Sequence, residues 1–330
     1  MRFGRPEDCI DKGPAVLAIV VVHKANDERR VTKDELKLSA QEETTMPQLT
    51  PEQMIETQRQ DWNRVASGWE RWDQFFDRNM TFLNHRLVAD ARLRGGHRVL
   101  DVGSGTGYPA LLAAQVVGPD GHVVGIDLAE RMLAVAGRKA TKLGLSNIEF
   151  RTGDATKFPF ENDRFDAVTT RFCLMFLPDV AKGLQELVRV LKHGGYLAAA
   201  VWSIPDKNPY IRIPMDTIKQ FIDLPPPDPD APGIFRLAKP GDLAKLAQQA
   251  GLSCVTEEEM TAEVVYPSTA EYYDSLMDLA APIQNLLEKL SADQKRQVRE
   301  RIMTAAMEYQ REDGIALPIA VRFVTARKPF

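Results

Sequence analysis

Short apolar runs alternate with amphipathic segments between residues 97 and 202. The apolar runs predict five strands, at 97–103, 122–127, 148–154, 165–171 and 195–202. In the segments between them, apolar residues recur every three or four positions, which predicts helices at 108–117, up to about 143, and from about 179 to 191. Helical crossovers join parallel strands, so this order predicts an α/β fold with a doubly wound, mostly parallel sheet.

The segment 51–93, which precedes this alternation, has a helical pattern throughout. Its large apolar side chains share one helix face, and they are Trp62, Val65, Trp69, Trp72 and Phe76. We expect Thr50 to cap the helix start, with Pro51 and Gln53 at the first and third helical positions. Gly68 is expected to divide the segment into two helices.

Two less regular regions follow the alternation. Residues 203–237 are rich in proline and other loop-forming residues. After a predicted helix at 239–251 and a strand at 252–266, residues 269–312 predict two or three amphipathic helices. The chain closes with an apolar run at 317–328, which predicts a last strand.

Residues 1–45 differ from the rest of the chain. Their apolar run at 15–22 is far shorter than the ~20 residues that span a bilayer, and a polar, charged stretch follows it. Met46 precedes a segment that has the features of a normal domain start. We therefore expect 1–45 to be a disordered or mis-assigned extension, Met46 to be the natural first residue, and 46–330 to form the functional domain.

The composition argues against several classes of function. The formal net charge is −4, from 42 basic and 46 acidic residues, so no basic surface for nucleic acid is expected. The three cysteines, Cys9, Cys173 and Cys254, are far apart in sequence, which predicts neither a disulfide framework nor a zinc site. We therefore expect a cytoplasmic protein without a metal, a nucleic-acid partner or a membrane span.

The most informative motif is VLDVGSGTGYPA, where the first predicted strand ends. Gly103, Gly105 and Gly107 predict a tight bend that lets a ligand approach backbone N–H groups at a helix start. A dinucleotide fingerprint has two residues between its second and third glycines, whereas one residue separates Gly105 from Gly107. The carboxylate of Asp101 also suits a cationic ligand better than a pyrophosphate. The motif therefore favours an adenosyl-sulfonium over a dinucleotide.

Two more acidic residues follow the next two strands. Asp127 ends the second strand, where its carboxylate can accept hydrogen bonds from the ribose hydroxyls of either ligand. Asp154 follows the third strand, where it can accept from an adenine amino group while the N–H of Ala155 donates to a ring nitrogen. Ligands of open α/β sheets bind at the carboxyl ends of the strands, so these loops together predict a nucleoside-containing ligand.

These motifs resemble those of the class I methyltransferases that use S-adenosylmethionine. The matching stretches are VLDVGSGTG, VVGIDLAERML, GDATKFPF, FDAVTTRFCLMFLPD and ELVRVLKHGGYLAAAVW. The chain is similar to the branch that includes the ubiquinone and menaquinone biosynthesis methyltransferases and many small-molecule enzymes. The resemblance implies a Rossmann-like, seven-stranded sheet whose last strand, 317–328, is antiparallel, and a helical cap formed by 51–93.

The resemblance also implies a cofactor-binding core at 97–202, with a substrate side formed by 203–237 and 269–312. The residues implied at the cofactor are Asp101, Gly103, Gly105 and Gly107 at the methionine moiety, Asp127 at the ribose, Leu128, Asp154 and Ala155 at the adenine, and Arg171 after the fourth strand. An apolar acceptor pocket is predicted from Phe172, Met175, Phe176 and Trp202. Core packing is the competing interpretation of this cluster and of Cys173.

Methyl transfer depends mainly on positioning, because the sulfonium of the cofactor is already activated. A base is needed only where the acceptor must lose a proton, and the sequence offers His85 in the cap and Tyr210 after the fifth strand as candidates. The predicted acceptor is a small molecule, methylated on oxygen, carbon, nitrogen or sulfur. Two alternatives stay open: an S-adenosylmethionine-binding module without catalysis, and a nicotinamide-dependent oxidoreductase.

Overall fold

One mixed sheet forms the centre of the fold in a computed structural model of the chain, which describes residues 49–224, 228 and 230–330. Its strands are β1 (Arg98–Val102), β2 (His122–Asp127), β3 (Ile148–Thr152), β4 (Phe165–Arg171), β5 (Leu191–Trp202), β6 (Ser253–Tyr266), β7 (Gln310–Arg311) and β8 (Gly314–Arg327). The sequence predicts all of these except β7. That strand has two residues, too few to produce a periodic pattern.

The strands lie in the order β3–β2–β1–β4–β5–β8–β6, and β7 pairs with one end of β8. Strands β1 to β5 are mutually parallel, whereas β8 runs antiparallel between β5 and β6. The predicted Rossmann-like fold, with a mostly parallel sheet and an antiparallel last strand, is confirmed. The strand order reverses between β1 and β4, so the carboxyl ends of these two strands flank a crevice of the kind that binds ligands.

The helices of the described residues are α1 (Pro51–Arg71), α2 (Asp73–Asp90), α3 (Ala110–Val117), α4 (Glu130–Lys142), α5 (Val180–Val190), α6 (Pro209–Ile218), α7 (Asp242–Gln249), α8 (Thr269–Leu279), α9 (Ala281–Glu288) and α10 (Ala292–Ala306). Helix α6 is not predicted from the sequence, because it has a proline at its first position and another at Pro214, and prolines are typical of loops. A proline at the first helical position is in fact well tolerated, since its missing N–H would have no partner there.

The cap helices α1 and α2 begin as predicted and divide at a different residue. Thr50 and Gln53 form a complete capping box at the start of α1. The break between the helices lies at Trp72, and Gly68 is buried within α1. A side chain at Gly68 would lie 2.0 Å from the carbonyl oxygen of Asp278 in α8. This glycine therefore permits close helix packing rather than a break.

The buried core follows the sheet and reaches the cap. The central strands contribute fully buried side chains such as Leu100 and Val168, and the cap contributes Leu83 and Leu87. No helix in the described ranges combines the length and the apolar character needed to cross a membrane. The expectations for residues 1–45 lie outside the residues that the structure describes.

Candidate functional site

The glycine bend, residues 103–107, connects β1 to α3 at the carboxyl edge of the sheet. The N–H groups of Gly103 and Ser104 both donate to the carbonyl oxygen of Ile126, at 2.8 and 3.1 Å. The N–H of Gly107 donates to the carbonyl oxygen of Ser104 at 2.8 Å. These bonds hold the bend directly beside the end of β2, so two of the predicted ligand loops are adjacent.

The three glycines of the bend serve different purposes. Their φ angles are +70°, +50° and +106°, a region that other residues rarely adopt. A side chain at Gly103 would lie 2.5 Å from Cβ of Cys173, and one at Gly107 would lie 2.8 Å from Leu111. At Gly105, no atom of the described chain lies within 4 Å of such a side chain. Gly105 therefore borders open space, where a ligand can approach the backbone closely.

Asp101, near the end of β1, lies beneath the bend. Its side chain has no exposed surface, and its two oxygens accept hydrogen bonds from the hydroxyls of Ser104 and Thr169, each at 2.7 Å. Burial raises the pKa of this carboxyl to about 6, although the two hydroxyl donors favour the charged form. The carboxylate thus stabilises the bend from below. Its predicted contact with a methionine moiety stays a prediction.

Asp127, the last residue of β2, faces the bend from the side. One of its oxygens accepts from the N–H of Gly105 at 2.8 Å, and the other accepts from the N–H of Ala129 at 2.9 Å. Burial raises the pKa of Asp127, while these backbone donors oppose that shift. Each carboxylate oxygen has a second lone pair. Asp127 can therefore fix the bend and still accept a hydrogen bond from a ligand hydroxyl.

The third predicted loop follows β3. Asp154 accepts hydrogen bonds from the N–H and the hydroxyl of Thr156, at 2.8 and 2.9 Å, which closes a tight turn. The side chain of Ala155 is buried in the core, and Leu128 of the second loop is half-buried. Because β1, β2 and β3 are neighbours, the structure brings the three loops to one edge of the sheet.

Comparison with known proteins identifies the family with this arrangement. A family model described as a methyltransferase domain matches residues 93–223, which contain all three loops. A demethylmenaquinone methyltransferase of Listeria monocytogenes is 32% identical over 225 residues, which cover 61% of this chain and 91% of that relative. The chain belongs to the class I S-adenosylmethionine-dependent methyltransferases. It is therefore a transferase, and S-adenosylmethionine is its cofactor.

A further relative agrees with this family, and two solved structures agree with the fold. A demethylmenaquinone methyltransferase of Staphylococcus aureus is 40% identical over 120 residues, 36% of this methyltransferase and 49% of that relative. The YcgJ protein of Bacillus subtilis has a TM-score of 0.52 at 20% identity, over 75% of this chain and 98% of that one. Phosphoethanolamine N-methyltransferase 2 of Haemonchus contortus, in complex with S-adenosyl-L-methionine, has a TM-score of 0.54 at 19% identity. The match covers 86% of this chain and 61% of that one. Neither alternative function is favoured, neither the S-adenosylmethionine-binding module without catalysis nor the nicotinamide-dependent oxidoreductase.

The end of β4 supplies two side chains that point in different directions. Arg171 donates from Nη1 to Oδ1 of Asn84 in α2, at 2.8 Å, and burial lowers the pKa of its guanidinium. The ring of Phe172 stacks on Trp202, with 4.1 Å between centroids and 3° between planes. Phe172 has a φ of +56°, which is strained for an aromatic residue and is often found at functional sites. At this edge of the sheet, Arg171 thus connects the end of β4 to the cap helix α2, and Phe172 connects it to β5.

The remaining predicted pocket residues separate in the structure. Phe176 is half-buried, and its ring meets Trp62 of α1 edge-on at 5.7 Å. Met175, by contrast, has no exposed surface and packs in the core. Met175 belongs to the short 3-10 turn Leu174–Phe176, and its predicted role in an acceptor pocket stays a prediction beside the competing interpretation of core packing. Cys173 is half-buried against Gly103, and burial raises the pKa of its thiol to about 12, which makes it a poor nucleophile.

The structure places the two candidate bases in different surroundings. His85 is exposed on α2, its Nδ1 lies 3.0 Å from the carbonyl oxygen of Thr81, and it borders a surface groove of ≈ 210 Å³ with Leu112 and Val116 of α3. The structure does not bring it to the loops of the cofactor. Burial raises the pKa of Tyr210, so its phenol stays protonated at neutral pH.

Three residues of the site were not predicted from the sequence. Thr169 and Asn84 hold Asp101 and Arg171 from other elements, and only the folded chain brings them there. Gly125 was also missed. A side chain there would lie 2.6 Å from Oγ of Ser104, so this glycine gives the bend its room beside β2. A glycine inside an otherwise apolar strand is the signal that could have identified it.

Proposed function

We propose that this methyltransferase methylates a small, planar aromatic acceptor. The observation that carries the proposal is the stacked pair of Phe172 and Trp202 at the carboxyl ends of β4 and β5. This pair lies on the same edge of the sheet as the cofactor loops, on the far side of β1. The flat face of an aromatic ring favours a second ring, which gains offset stacking in addition to apolar burial.

Aromatic side chains from the cap and the first insertion extend this pair. Trp62 of α1 meets Phe176, and Tyr210 of α6 lies 6.5 Å from the ring of Trp202. The hydroxyl of Tyr272 in α8 donates to the carbonyl oxygen of Tyr210 at 2.7 Å. These contacts support the assignment of the cap 51–93 and the insertions 203–237 and 269–312 to the acceptor side. The relatives named for demethylmenaquinone, a quinone, support a ring-shaped acceptor.

The cofactor site fits the residues that the resemblance implies. The open space at Gly105 and the free lone pairs of Asp127 are next to each other, which suits a ribose beside a backbone bend. We assign the methionine moiety to the bend and to Arg171, and the adenine to Leu128, Asp154 and Ala155. When bound, the cofactor supplies a methyl group on a positively charged sulfur. The buried carboxylate of Asp101 contributes negative charge beneath that end.

The acceptor we propose loses its proton without help from a side chain. Among the described histidines, His97 and His122 lie at the amino ends of strands, and His193 bonds to the carbonyl oxygen of Pro329 near the chain end. His85 lies on the outer surface of the cap. A phenol has a pKa of about 10, so a small fraction of a phenol or hydroquinone is ionised near neutral pH, and that anion can attack a methyl group directly. The residues around it then need only orient the ring and exclude water.

The test measures transfer of a radiolabelled methyl group from S-adenosylmethionine to 1,4-dihydroxynaphthalene and, separately, to ethanolamine. We expect transfer to the aromatic acceptor at a kcat/KM at least tenfold higher than to the amine. Phe172→Leu should lower the aromatic kcat/KM about tenfold and leave the Kd of S-adenosylhomocysteine within twofold. Phe330→Leu is the matched control, since Phe330 is 88% exposed. Equal or faster transfer to ethanolamine contradicts the proposed acceptor.

A further inference from the structure

Arg171 is half-buried, and its positive charge is oriented by a neutral partner. Its Nη1 donates to Oδ1 of Asn84, and Asn84, on the cap helix α2, is 2% exposed. Burial lowers the pKa of the guanidinium, although an arginine stays charged inside a protein. The charge therefore lies at the junction of the cap and the end of β4.

The ionisable groups around Arg171 have other partners. Asp101 accepts from two hydroxyls, and Asp73 forms an ion pair with Lys139. Burial raises the pKa of Tyr108 to about 12, so its phenol stays neutral. Within the described ranges, no carboxylate oxygen lies within 4 Å of the Arg171 guanidinium. Its positive charge is therefore not neutralised by a direct ion pair.

Arg322 provides a contrast, because it is 6% exposed and lies beside two carboxylates. Its guanidinium meets Glu257 at 3.3 Å and Glu259 at 2.9 Å, and its Nε donates to the carbonyl oxygen of Ala238. Arg322 is thus compensated entirely within the chain. Arg171 is half-buried and has no such ion pair, and a partly desolvated charge without compensation is costly, so the contrast indicates that Arg171 meets an anion from outside.

The position of Arg171 identifies the anion. Arg171 directly follows Thr170, whose register partner in β1 is Val102, so Arg171 lies at the strand end beside Gly103, the first residue of the glycine bend. The bend is where the proposed function places the methionine end of the cofactor, so this inference rests on that proposal. The anion at that end is the α-carboxylate.

We propose that Asn84 is a positioning residue that aims the Arg171 guanidinium at the cofactor carboxylate without neutralising it. The amide oxygen of Asn84 accepts a hydrogen bond from Nη1 and restrains the orientation of the guanidinium, but it brings no charge. An aspartate in the same place would pair with Arg171 and compete with the ligand. Because Asn84 belongs to α2, cofactor binding also depends on the cap being closed over β4.

The test compares two ligands by calorimetric titration: S-adenosylhomocysteine and its decarboxylated form, which differ only in the carboxylate. Asn84→Asp should raise the Kd of S-adenosylhomocysteine at least tenfold and should not raise the Kd of the decarboxylated ligand. Arg171→Met should show the same selectivity. In the Arg171→Met background, adding Asn84→Asp should cause no further loss. Asn79→Asp is the matched control, because Asn79 lies on the same helix and accepts only from the backbone N–H of Val265.

Equal weakening of both ligands by Asn84→Asp would show a structural role and overturn the inference. The same holds if Arg171→Met leaves S-adenosylhomocysteine binding unchanged while the wild type binds it. Failure of the wild type to bind S-adenosylhomocysteine at all would instead contradict the proposed cofactor site. If Asn84→Asp does not fold, Asn84→Leu carries the same comparison, with a selective loss of threefold or more expected.

Discussion

The two halves of the carboxyl edge of the sheet present different chemical groups. At the ends of β1, β2 and β3, the site consists of backbone N–H groups and carboxylates that lie close together in sequence, such as Gly105 and Asp127. At the ends of β4 and β5, it consists of aromatic rings that come from the cap, the strand ends and α6. In the proposed function, the first half binds the cofactor and the second half binds the acceptor. Cofactor recognition then rests on local backbone geometry, and acceptor recognition on long-range side-chain packing.

The largest expected effect concerns the backbone of the cofactor half. Gly103→Ala should lower the free energy of unfolding by roughly 2–6 kcal/mol, because the new methyl group meets Cys173 at 2.5 Å and φ is +70°. Gly105→Ala has strain but no clash, so it should lose only about 1–2 kcal/mol. Urea unfolding of both variants checks the difference. Equal losses would mean that the contact with Cys173 does not constrain the bend.

The next effect is electrostatic and depends on pH. The folded pKa of Asp101, about 6, lies above its unfolded value of 3.8. The folded state therefore binds the proton more tightly, and stability should fall by about 3 kcal/mol as the pH rises from below 3.8 to above 6. Asp101→Asn should remove this part of the profile. The measurement is the difference in unfolding free energy between wild type and variant from pH 3.5 to 7.5, and a flat difference would contradict it.

A smaller effect is expected at the ribose side of the same half. Asp127→Asn keeps one oxygen acceptor but loses the charge, so binding of S-adenosylhomocysteine should weaken by about 1–3 kcal/mol. The loss of a charged acceptor for the N–H of Gly105 should also lower the melting temperature slightly. Asp120→Asn, in an exposed turn, is the matched control. Calorimetric titration measures the binding, and an unchanged affinity would remove Asp127 from the proposed ribose contact.

The same contrast explains what the sequence could predict. The strands, most helices and the three loops of the cofactor half follow from local periodicity and from residues within a few positions of each other, as at Gly103 to Gly107. The hydrogen-bond partners of Asp101 and Arg171 could not be predicted in this way, because Thr169 is 68 residues from Asp101 and Asn84 is 87 residues from Arg171. Met175 is a related case. From the sequence alone, an apolar residue after a strand is equally consistent with a pocket and with the core, and the structure shows that Met175 has no exposed surface.

The smallest expected effect tests whether the acceptor half uses a base from the cap. His85→Ala should change kcat/KM for an aromatic acceptor less than twofold between pH 6 and 8, because His85 lies beside Leu112 on the outer surface. The matched comparison is Phe172→Leu, whose effect should be about tenfold under the same conditions. A tenfold loss in His85→Ala, with a pH profile that loses its acidic limb, would place a base in the cap after all. It would mean that the cap moves by more than a side-chain rotation during turnover.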